Sequence, residues 1–96
     1  MKERDYQASL IKRLNKRYKD CLIMKNDSGY IQGIPDLTVL YNGLWAMLEV
    51  KVNSEAHTQP NQDYYVDRLD TMSFAAYIHP DNESEVIRLL DQHFGR

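Results

Sequence analysis

The sequence predicts an α/β domain, a mixed sheet of about four strands flanked by helices in the order α-β-β-β-α-β-α. Three observations carry this. Residues 2–18 repeat apolar side chains every four positions (Tyr6, Leu10, Leu14, Tyr18), a helical period. Asn42-Gly43 lies between two apolar runs, and both residues tolerate the positive φ of a type I′ hairpin turn. Further on, Pro60 and Asn82 each open a helical pattern, with one short apolar run, residues 73–79, between them.

Within the first helix, Ile11 widens the apolar stripe, while Lys12, Arg13, Lys16 and Arg17 lie off it. One face packs on a sheet and the other offers cations. Glu3 sits in the first turn, where the helix dipole favours a carboxylate. Residues 20–26 read as a mostly buried strand ending near Lys25. Residues 26–35 form a turn-rich loop, with Tyr30 at its centre, that leads straight into Asp36.

A two-residue hairpin loop sets the register that follows. Tyr41 opposes Leu44, Val39 opposes Ala46, Leu37 opposes Leu48, and Asp36 opposes Glu49. Opposed residues share a face, with Cβ atoms about 4.5–5.5 Å apart. Lys51, two residues past Glu49, falls on that face too. The strand from Leu44 to Val52 is apolar on both sides, which marks a central strand. Residues 53–59 are a polar link. The helix from about Pro60 to Asp70 has Tyr65, Val66, Leu69 and Met72 as its stripe, and Gln62 starts its inward face. Residues 73–79 form the last strand, which Pro80 ends. Asn82 followed by Glu85 resembles a capping box. The final helix, roughly 83–93, buries Val86, Leu89, Leu90 and either His93 or Phe94.

Residues 1–96 suit a single domain, with an ordinary hydrophobic fraction of 43%. Cys21 is the only cysteine, so an internal disulfide and a cysteine-based zinc site are both excluded. This fits a reducing cytoplasm, and Cys21 is read as a small core residue. No apolar run is long enough for a membrane helix, and no signal-peptide core is present. The three histidines share no ligand spacing; only His57 falls near the paired carboxylates. The net charge is −2, but it is unevenly spread. Residues 1–25 hold eight Lys/Arg against three acids, and residues 26–96 hold four against eleven. The basic first helix is an electrostatic footprint for phosphates.

Two opposed carboxylates repel unless a cation lies between them or one is protonated. Mg²⁺ is often held by one or two carboxylates plus substrate phosphate. Pro35-Asp36 followed by Glu49-Val50-Lys51 resembles the signature of the PD-(D/E)XK nuclease superfamily. The Gly33-Ile34-Pro35-Asp36-Leu37 form, with Gln62 after the Glu-x-Lys triplet, is most similar to its virus-type replication-repair (VRR-NUC) branch, in the standalone phage-like form. That resemblance implies a restriction-endonuclease-like core. It implies Asp36, Glu49 and the Val50 carbonyl as ligands of Mg²⁺ or Mn²⁺, with Glu3 as a further candidate. Lys51 would act on the attacking water or scissile phosphate, and Gln62 is carried over as a catalytic-site residue.

The expected activity is a metal-dependent DNA endonuclease, acting on structured substrates such as Holliday junctions or flaps. Lys12, Arg13, Lys16, Arg17 and Lys25 would bind flanking phosphates, and Tyr30 would stack on a base. The small size and seven tyrosines point to a homodimer. The setting implied is the cytoplasm of a bacterial or phage-infected cell. Two readings compete: a nucleic-acid-binding module on the same fold without catalysis, and an acidic interaction factor that mimics DNA.

Overall fold

The computed structural model describes residues 1–96. Its elements are α1 (Glu3–Arg17), β1 (Leu22–Lys25), β2 (Leu37–Tyr41), β3 (Leu44–Val50), α2 (Pro60–Met72), β4 (Ala75–Ile78) and α3 (Glu83–Phe94). The α-β-β-β-α-β-α order is therefore the observed one. The four strands lie in sequence order across one mixed sheet. β2 pairs antiparallel with β1 on one side and with β3 on the other, and β4 joins β3 in parallel after the α2 crossover.

The hairpin has the expected register. Tyr41 opposes Leu44, Val39 opposes Ala46 and Leu37 opposes Leu48. Asn42 and Gly43 take φ values of 55° and 75°, as a type I′ turn needs. That parity sends Leu37, Val39, Ala46, Leu48 and Val50 to one face, where they meet Tyr6, Leu10 and Leu14 of α1 and Val86, Leu90 and Phe94 of α3. α2 lies over β3 and β4 on the opposite face.

Two clamps hold α1 to α3 at the rim of this core. The Arg13 guanidinium grips the Glu83 carboxylate through two 2.7 Å bonds, and the Tyr6 hydroxyl donates to the same carboxylate. Arg17 pairs with Asp91, to which the Tyr18 hydroxyl also donates at 2.8 Å. Burial pushes the Glu83 carboxyl up, but Arg13 and Tyr6 outweigh it and hold the group below its ordinary range.

Several expectations need correction. β1 is not mostly buried: Leu22 is 57% and Met24 42% exposed. It is an edge strand, and α2 covers only the far side of the sheet. Cys21 is half-buried against the core rather than inside it. Met72 is exposed because it ends α2 beyond the sheet. Asn82 makes no capping bond. It accepts from the His79 amide and donates to the Tyr77 carbonyl, closing the turn after β4. A capping box does form, but on α2, between Gln59 and Gln62. α3 buries Phe94, which packs edge-on against Tyr18 and Tyr41, while Leu89 is half-buried. His93 instead approaches the Trp45 carbonyl at 3.0 Å.

Leu10 is fully buried between α1 and the sheet. Leu10→Ala should cost about 2–5 kcal/mol in urea melts, from lost transfer energy and the cavity left. Arg17→Ala breaks a pair on the protein rim, for which about 1 kcal/mol or less is expected.

Candidate functional site

The site lies where β2 begins and β3 ends. Asp36 stands one residue before β2, where the backbone pairing of β2 with β3 has ended. Its side chain takes over: Asp36 Oδ2 accepts from the Val50 amide at 2.8 Å. Asn26 fixes this approach. The Asn26 amide donates to the Asp36 carbonyl at 2.8 Å, its Nδ2 donates to the Pro35 carbonyl at 2.8 Å, and its Oδ1 accepts from Thr38. Sequence reasoning missed Asn26, which carries no signal there beyond that of a turn residue.

Glu49 faces α2 and is 2% exposed. Its Oε2 accepts from Gln62 Nε2 at 3.3 Å and lies 3.8 Å from Lys51 Nζ. Its Oε1 is buried and is reached by no hydrogen-bond donor. Lys51 is itself only 8% exposed. Its ammonium donates to Gln62 Oε1 at 3.0 Å and to the His57 carbonyl at 3.1 Å. Gln62 Oε1 also accepts from the Gln59 amide at 3.0 Å, which closes the capping box. One carboxamide thus caps α2, orients Lys51 and contacts Glu49. Pro60 at the start of α2 gives this turn a fixed φ.

Comparison of the chain with family models, curated proteins and solved structures returned no match.

Burial, then the charge of Asp36 and a side-chain hydrogen bond shared with it, push the Glu49 carboxyl up to about 8, against the opposing pull of Lys51. Glu3 at the start of α1 adds to that field and is itself raised, first by desolvation and then by Asp36. The charges of Asp36 and Glu3 therefore act on each other across the start of α1. Asp36, Glu49, Lys51 and Gln62 are brought together, with the Val50 amide bonded to Asp36. Glu3 stands at the margin and is exposed.

The cation candidates divide. Arg13 and Arg17 are tied to α3, about 15 and 21 Å along the α1 axis from Glu3. Their main contacts are structural. Lys12 and Lys16 are exposed on the same helix. Lys25 ends β1 beside Asn26 and is exposed, close to the Asp36 end of the sheet. Tyr30 is 86% exposed at the tip of the preceding loop.

The donor set fits a hard divalent cation. A buried carboxylate oxygen that no donor reaches, beside a second carboxylate, is the kind of group that a metal satisfies. No group of three or more His, Cys, Asp and Glu side chains gathers at one point. Asp36 and Glu49 would then be the acidic ligands, leaving other positions to water and substrate, as Mg²⁺ commonly does.

The raised Glu49 carboxyl has a pH consequence. Unfolded, it titrates near 4.5; folded, near 8. Between those values the native state holds the extra proton, so this group's contribution to stability falls as pH rises, by up to about 1.4 kcal/mol per pH unit. In chelator, urea melts from pH 5 to 8.5 should show this loss for the wild type. Glu49→Gln should match the wild type near pH 5 and exceed it in stability at pH 8.5; equal slopes for the two proteins would refute the assignment.

Proposed function

We propose that the protein is a divalent-metal-dependent endonuclease that hydrolyses phosphodiester bonds in DNA. The observation that carries this reading is the convergence of Asp36, Lys51 and Gln62 on Glu49, with Glu49 Oε1 buried and reached by no hydrogen-bond donor. Nothing in packing a small sheet requires a buried Glu-Lys pair beside a second carboxylate. Such an arrangement destabilises the metal-free fold and makes sense at a site of chemistry.

A bound Mg²⁺ or Mn²⁺ would polarise the scissile phosphate and lower the pKa of its water. The chain's own residues have separate tasks. Asp36 and Glu49 supply hard oxygens. Lys51, pre-oriented by Gln62 and the His57 carbonyl, presents a fixed positive charge toward oxygens that become more negative as the bond breaks. Gln62 holds Lys51 and Glu49 in one geometry, so neither side chain must reorganise during the reaction. Lys25, Lys12 and Lys16 would contact flanking phosphates, which confers affinity without sequence preference. Tyr30 is free to stack on an unpaired base. Structured DNA, a junction or a flap, is the substrate class proposed. A second copy is the proposed partner, seated on the open edge of β1 and its exposed Leu22 and Met24.

One observation favours a catalytically inactive binding module on this fold. Asp36 already has a structural task, since it accepts the Val50 amide. For that reason Asp36→Ala is a poor test: it also strands a buried N–H. Asp36→Asn keeps an acceptor oxygen and removes the charge.

In a Mn²⁺-supported cleavage assay, Asp36→Asn and Lys51→Ala should each lose about 100-fold or more in rate, on the scale of lost electrostatic stabilisation. Their circular dichroism should stay native. Calorimetry should show metal binding by the wild type that is lost in Asp36→Asn. Wild-type DNA binding without cleavage or metal uptake would favour the inactive module. Sedimentation should give a dimer for the wild type and a monomer for Leu22→Lys.

A further inference from the structure

Beside Gln62 the surface opens into a cleft of about 320 Å³, lined by Ser28, Gln32, Gly33, Gln59, Pro60, Asn61 and Gln62. It lies between the loop that precedes Asp36 and the first turn of α2. The two walls are locked together at Gly33. That residue has a φ of +93°, and a Cβ there would come within 2.5 Å of the Asn61 Cβ and 2.7 Å of the Asn61 carbonyl carbon. The cleft's width is therefore set by backbone contact rather than by flexible side chains.

Its chemistry differs from that of the site next door. No lining residue carries a charge. Gln59 and Gln62 are engaged in the α2 capping box, and Gln62 also holds Lys51 and Glu49. The side chains of Gln32, Asn61 and Ser28 make no hydrogen bond within the protein. Two free carboxamides and a hydroxyl thus face one cleft. A carboxamide presents a donor and an acceptor side by side, matching the donor–acceptor edge of a base. A phosphate would call for Arg or Lys, and none lines this space.

We propose that this cleft seats one unpaired DNA base, immediately beside the scissile phosphate, and reads its edge through Asn61 and Gln32. The proposal rests on the nuclease reading and narrows its substrate. A base within a duplex has its pairing edge occupied and its neighbours stacked. Only a nucleotide already unpaired, or cheaply extruded, can present its pairing edge to this neutral cleft. The substrate class is then a flap, gap or bubble with an unpaired nucleotide at the cut, in preference to a fully paired four-way junction.

The test uses Asn61→Ala/Gln32→Ala, which keeps the Asn61 Cβ on which Gly33 packs, and two readouts. The first is binding of a short fluorescent single-stranded oligonucleotide in chelator. The second is Mn²⁺-dependent cleavage of a flap, of the same flap with one abasic nucleotide beside the cut, and of a fully paired junction. The expected results are about tenfold or more weaker binding by the variant, flap cleavage by the wild type well above junction cleavage, and a similar loss from the variant or the abasic substrate that does not compound when both are combined. Binding lost in the variant, with no cleavage of any DNA by the wild type, would keep the cleft and overturn the nuclease. Normal cleavage and equal binding by wild type and variant would overturn the cleft alone. Compounding losses, or a paired junction cut as fast as the flap, would also overturn it. Neither binding nor cleavage by the wild type would overturn both.

Discussion

Everything at the candidate site depends on the length of one turn. Asn42 and Gly43 close the β2–β3 hairpin in two residues because both adopt positive φ. A hairpin has a side-chain period of two, so a register shifted by one residue would put Ala46 and Leu48 on the face opposite Leu37 and Val39 and part Asp36 from Glu49. The same constraint therefore builds the core and assembles the carboxylates. The core residues on that face then recruit α1 and α3, and the first turn of α1 brings Glu3 within the field of the site.

The candidate site is held by polar bonds that also close the local fold. Asp36 ends the sheet ladder by accepting the Val50 amide. Gln62 caps α2 while it holds Lys51. Asn26 pins Pro35 and Asp36 from a strand that is itself exposed. Such double use fixes side chains in one geometry, the preorganisation that the proposed catalysis would draw on. It also separates the two kinds of cation in the chain. Lys51 is buried and oriented, whereas Arg13 and Arg17 satisfy acids on α3 and contribute to packing.

The locally periodic and turn-driven features were legible in the sequence. The element order, the hairpin register, the buried stripe of α1 and the inward position of Gln62 follow from spacing alone, because each is set by residues a few positions apart. The reading of β1 as buried failed for the opposite reason. Leu22, Ile23 and Met24 are as apolar as a central strand, and only the placement of α2 over β3 and β4 leaves their outer side open. The Asn82–Glu85 pattern likewise lost to Tyr77 and His79, which engage the Asn82 side chain across the turn.

By itself the sequence determined the fold class and the pairing of two carboxylates with a lysine, since turn geometry and strand parity are local. What the tertiary structure decided was the state of those groups and their surroundings. The buried oxygen of Glu49 that no donor reaches, the raised affinity of that carboxyl for a proton, the double role of Gln62 and the uncharged cleft beside it all arise from segments far apart in the chain. Solvent exclusion and charge proximity are properties of packing, and no window of sequence contains them.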